Sequence, residues 1–148
     1  MESLIGTPAA TTGMIGAMLF FLTGLLTGSW KYFCIRNSAQ AVAPVYVNIA
    51  HRAALLYSFA ALLLAVFASL SVFSNTVNLV AISLPLFYFA LAIVRYIFLG
   101  ITNTTTNQHL NPPSRTGELV LLSSLIIAET GGFLVLATGF MVRVLQTP

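Results

Sequence analysis

Charge is what this sequence has least of. Six Lys or Arg and three Asp or Glu among 148 residues make 6% of the chain, against 58% hydrophobic residues. A soluble domain carries about 25% charged residues, and so few cannot cover a surface facing water. With a mean hydropathy of +0.96, the solvent for most of this chain is a lipid bilayer. Cysteine is nearly absent as well. Cys34 stands alone, which excludes an intramolecular disulfide and any metal motif built on cysteines. The net charge of +3 is too small and too dispersed for a nucleic-acid partner. No HExxH, CxxC, P-loop or GxSxG pattern occurs. Two histidines are too few for a dihaem cytochrome held by four. The N-terminus has Glu2 and no basic n-region, so the first apolar run is expected to be a retained span rather than a cleaved signal. No internal repeat is visible.

What is present is four long apolar runs. A hydrocarbon core of about 30 Å needs about 20 apolar residues per helix. Four segments meet that length: roughly Gly13 to Trp30, Asn48 to Phe73, Val77 to Ile101 and Glu118 to Leu145. Unsatisfied backbone is so costly in lipid that each must be a helix. The expected fold is an all-α integral membrane protein, one domain made of a four-transmembrane-helix bundle. The second and third helices form a hairpin broken only at Ser74-Asn75-Thr76. The connections 31–47 and 102–117 are polar, the latter broken at Pro112-Pro113. They share one side, which holds Lys31, Arg36, Arg52, Arg95 and Arg115 against Arg143 alone on the other. The positive-inside rule puts both loops in the cytoplasm and both termini outside. A bacterial inner membrane is the expected location.

The helix faces add detail. His51, Ala54, Ser58, Ala61, Ala65 and Ala68 form a seam of small residues that lets a neighbouring helix approach closely, and Gly24 and Gly28 give the first helix a GxxxG spacing. Gly131, Gly132 and Gly139 offer the fourth helix the same tight packing. Polar groups at depth are more telling, because ionisable side chains in a span face the bundle interior, a partner or a cavity. His51 and Arg52 lie about one turn into the second helix, and Arg95 lies ~9 Å from the end of the third. Glu129 reaches mid-membrane, where it is expected to be either protonated or paired, with Arg95 or a neighbouring subunit as the pairing group. Glu118 is explained by its place at a helix N-terminus, and His109 reads as a solvated loop residue. A neutral His51 imidazole near the cytoplasmic interface is a candidate haem ligand, and the surroundings suit a small apolar substrate delivered from the lipid.

The opening GAMLFFLTGLLTG, the Ala50-His51 pair starting the second helix, and Tyr96 near the end of the third resemble the styrene oxide isomerase and hydroxylaminobenzene mutase family of four-span membrane enzymes. The resemblance covers most of the chain as architecture. It implies a homo-oligomer, a trimer, with haem b held between subunits. It implies His51 as the metal's axial ligand, ferric iron as a Lewis acid for an intramolecular rearrangement, and Tyr96 orienting the substrate oxygen. Arg95 beside Tyr96 joins it as a catalytic candidate, and Arg52 and Tyr57 join His51 as cofactor-binding candidates. The isomerases carry an asparagine six residues after the histidine, where this chain has Tyr57. Asn48, Arg52 and the Arg95-Tyr96 pair are also similar to the membrane-associated glutathione-transferase and eicosanoid (MAPEG) family, although the acidic residue of that family's second helix has no counterpart between Asn48 and Phe73. A third reading is a non-enzymatic accessory subunit of a larger membrane complex, which needs neither cofactor nor enclosed pocket.

Overall fold

The structure, a computed structural model, describes residues 6–110, 112 and 114–146. Glu2 and Pro113, both used in reading the sequence, lie outside the described residues. Four helices run in sequence: α1 (Pro8–Arg36), α2 (Val45–Leu70), α3 (Asn75–Thr102) and α4 (Arg115–Gln146). Each is long and apolar enough to cross a membrane, and no strand occurs among the described residues. The chain is an all-α four-helix membrane bundle. The connections 37–44 and 103–114 share one end, called here the basic end; residues 71–74 turn the chain at the opposite, hairpin end.

The helices extend past the spans read from hydropathy. The expected connection 31–47 shrinks to eight residues, 37–44, because α1 carries Lys31 and Arg36 on helical backbone and α2 already starts at Val45. Hydropathy ends a span at its first charge, but a helix that emerges from lipid still satisfies its own backbone. Arg36 in the last turn also faces the negative end of the helix dipole. At the start of α1 the Thr7 hydroxyl accepts from the Ala10 amide at 3.2 Å, with Pro8 in the first turn. The α2 helix stops at Leu70 rather than Phe73. Ser71 is extended, and the Val72 amide donates to the Gly139 carbonyl of α4 at 3.3 Å. Ser74 then caps α3, so Asn75 opens that helix instead of belonging to the break. Asn103 closes α3 in the left-handed conformation, with φ of 45°, donating its amide to Leu99.

The core forms where small residues face one another. Ala54, Ser58, Ala61, Ala65 and Ala68 are all buried, as the spacing of the seam leads one to expect. The seam receives α1, and a Cβ at Gly24 or Gly28 would collide with Leu55 or His51 of α2. The α4 glycines divide. A Cβ at Gly132 would strike the Ala81 carbonyl oxygen and lie 2.7 Å from Cγ of Pro85, a buried proline inside α3. A Cβ at Gly131 would meet nothing within 4 Å, so tight packing does not explain that residue. Gly132→Val is therefore expected to destabilise the α3–α4 contact by about 1–3 kcal/mol or more, as overpacking against backbone does, while Gly131→Val changes little. Thermal unfolding of the two variants in detergent checks the contrast; equal melting would contradict this packing.

Candidate functional site

His51 sits on the α1–α2 seam. Its Nδ1 is 2.9 Å from the Gly24 carbonyl oxygen, an atom that can only accept, so Nδ1 carries a proton and Nε2 is the nitrogen open to a metal. The absence of a side chain at Gly28 makes room for the imidazole, since a Cβ there would lie 2.8 Å from Cε1 and 3.0 Å from Nδ1. No hydrogen bond reaches Nε2 among the described residues, and that atom is not one of the sealed polar atoms. A histidine held through one nitrogen by a main-chain carbonyl, with the other presented, is the usual arrangement of a metal-ligating imidazole. As a nitrogen donor to a haem iron, His51 would fit. No cluster of three or more His, Cys, Asp or Glu side chains is found among the described residues.

The other candidates lie elsewhere. Arg52, Tyr57 and Tyr96 line a groove of about 240 Å³ between α2 and α3, together with Ile49, Ala53 and Leu56. That groove is centred roughly 160° around α2 from His51 at 3.6 residues per turn. Tyr57 stacks on Phe89, with ring centroids 4.3 Å apart and planes 8° from parallel. Tyr96 stacks on Tyr46 at 6.1 Å. One chain therefore brings Arg52, Tyr57 and Tyr96 together and leaves His51 on another flank of the same helix.

Tyr96 also faces a second space. A cavity of about 330 Å³ opens between α3 and α4 at the basic end, roofed by the 103–114 connection. Arg95 donates from Nε to the Gln108 side-chain oxygen at 2.6 Å. The Gln108 main-chain N–H donates to the Tyr46 hydroxyl oxygen at 2.6 Å, which ties the loop to the start of α2. The Gln108 side chain meets Nε2 of His109 at 3.1 Å, and Nδ1 of His109 pairs with Glu118 in the first turn of α4. Arg95, Gln108, His109 and Glu118 thus form one polar chain across the mouth of an otherwise apolar cavity. At its deep end Tyr88 donates to the Ser124 hydroxyl at 2.8 Å.

Three expectations change here. His109 is not simply solvated, and the helix dipole does not exhaust the role of Glu118: each is the other's partner. The expected pairing of Glu129 with Arg95 does not form. Glu129 lies about 10 Å deeper along the bundle at 1.5 Å per residue, and Arg95 is held outward by Gln108. Its Oε1 is sealed from the surface without a hydrogen-bond partner among the described residues. Gln108, Tyr88 and Ser124 were not candidates in the sequence. The available signal was the helical stagger Tyr88, Ala92, Arg95 on α3 facing Glu118, Leu121, Leu125 on α4. Compared with family models, characterised proteins and solved structures, the chain finds no match in any of the three.

Proposed function

We propose that the protein is a haem-binding enzyme of a bacterial inner membrane, a homo-oligomer with a trimer favoured, that rearranges a small apolar substrate taken from the lipid. The observation that carries this reading is the His51–Gly24 hydrogen bond, which orients the ring through Nδ1 and leaves Nε2 without a protein partner among the described residues. When bound, haem b would supply ferric Lewis acidity for an intramolecular rearrangement. The chain's own residues do the rest. His51 holds its ring edge against α1. Arg52, exposed on α2, offers a guanidinium fork for a carboxylate such as a propionate. Tyr96 presents a hydroxyl at the wall shared by groove and cavity, where it can orient a substrate oxygen. Arg95, steadied by Gln108, places a cation beside it. Because His51 and the Arg52–Tyr57–Tyr96 groove lie on different flanks of α2, both can reach one ligand only when an adjacent copy contributes one of them. That requirement supports the oligomer. The cavity itself supports an enzyme over an accessory subunit, which has no use for one.

The test is the visible spectrum of protein purified in mild detergent from haem-replete cells. A Soret band at about one haem per chain is expected; colourless protein would contradict the reading. The glutathione-dependent alternative draws on the buried Oδ1 of Asn48, which has no hydrogen bond among the described residues. Glutathione raising the melting temperature of colourless protein would favour it. The orientation, with both loops cytoplasmic, predicts that a membrane-impermeant thiol reagent applied from the cytoplasmic side labels Cys34 or a Ser114→Cys variant. Labelling of Asn75→Cys from that side would reverse the topology.

A further inference from the structure

The seam between α3 and α4 does not end at the cavity. It continues toward the hairpin end as an apolar groove of about 730 Å³, walled by Val80, Leu84, Ala128, Gly131 and Val135. Tyr88 and its hydrogen bond to Ser124 mark the junction, since Tyr88 lines both spaces. From Arg95 to Val80 the seam follows α3 for about 22 Å at 1.5 Å per residue. At the cavity end the two charged side chains are partnered differently. Glu118 is engaged by His109, whereas Arg95 spends Nε on the neutral Gln108 and meets no carboxylate among the described residues. A guanidinium with no direct ion pair among the described residues therefore stands at the end of a long apolar groove open to lipid.

We propose that this seam binds a long-chain fatty acid, with its carboxylate on Arg95 and its single tail running past Tyr88 along the groove. The inference goes beyond the proposed rearrangement and is independent of haem: the fatty acid is a further ligand of this seam, distinct from the small apolar substrate. A carboxylate matches two parallel N–H groups of a guanidinium and neutralises it. A neutral alcohol of equal length fills the same groove and leaves the charge unmet. A two-tailed phospholipid has one tail too many for a single groove. Gly131 widens the middle of the path, and the open space around it then has a use.

The probe is a photoactivatable palmitate with a mid-chain diazirine, added to the whole protein in phosphatidylcholine nanodiscs. Cross-links are expected on α3 residues 80–88 and α4 residues 124–135. Unlabelled palmitate should compete, and hexadecanol should not. Arg95→Gln should weaken labelling about tenfold or more, the scale of a lost charged hydrogen bond, while Arg95→Lys retains most of it. Gly131→Phe enters open space, so it should block labelling without lowering the melting temperature. Competition by hexadecanol or phosphatidylglycerol as strong as by palmitate would overturn the proposal, as would full labelling of Gly131→Phe. Labelling needs no haem, so a colourless protein that labels refutes only the haem reading, and a coloured one that does not label refutes only this one.

Discussion

His51→Ala is expected to lose haem and part of the α1–α2 packing together, and His51→Gln is expected to separate the two. Alanine removes the only ring nitrogen presented from the seam, so haem affinity should fall by more than the roughly 10–100-fold typical of changes behind a metal ligand. It also removes the 2.9 Å bond to the Gly24 carbonyl, worth about 0.5–1.5 kcal/mol because that carbonyl still accepts from the Thr27 hydroxyl at 3.1 Å. The cavity left beside Gly28 adds to that loss. Glutamine can donate from its amide to the same carbonyl and fill much of the same space, yet it offers no imidazole nitrogen. The glutamine variant should recover most of the melting temperature while staying colourless. An unchanged Soret band in either variant would show that the ligand is not His51.

The second large effect concerns Glu129, and it runs against ordinary expectation for a charged residue. Glu129→Leu is expected to stabilise the fold. The carboxyl sits at mid-membrane with one oxygen sealed and unbonded among the described residues, an arrangement that costs about 1–3 kcal/mol. Leucine removes that cost at similar volume, whereas Glu129→Gln keeps an acceptor in the same place and should gain little. Glu129 is close enough to Tyr57 and Tyr96 to interact with both electrostatically. A gain in stability with a fall in turnover would identify a group retained for function at the expense of stability. If the leucine variant instead melts lower by a similar amount, the oxygen has a partner supplied by a ligand or another copy.

The membrane fold was readable from the sequence because lipid leaves so few solutions. Four runs of about twenty apolar residues admit only helices, and the alternating small residues from Ala54 to Ala68 already mark the face that α1 covers. His51 was readable too, as an ionisable group where the bilayer tolerates few. Its hydrogen bond was not, because the acceptor is the backbone of Gly24, which side-chain chemistry cannot announce. The polar chain at the cavity mouth was hidden for a different reason. Gln108 and His109 lie in a connection without periodicity, so nothing local says which way they turn; only the α3–α4 crossing at Gly132 and Pro85 brings Glu118 opposite Arg95. The separation of His51 from Tyr57 was legible in principle, since six residues place them about 120° apart on a helix. Grouping them by level in the membrane obscured it.

The most direct test of the central claim uses the fact that the chain has only two histidines, His51 and His109. Protein labelled with ¹⁵N-histidine and carrying His109→Asn retains one labelled imidazole. Pulsed electron paramagnetic resonance of its ferric haem should then show a ¹⁵N hyperfine coupling from a directly bound nitrogen, and the coupling should vanish in His51→Ala. A haem-loaded His109→Asn protein without that coupling would contradict the account.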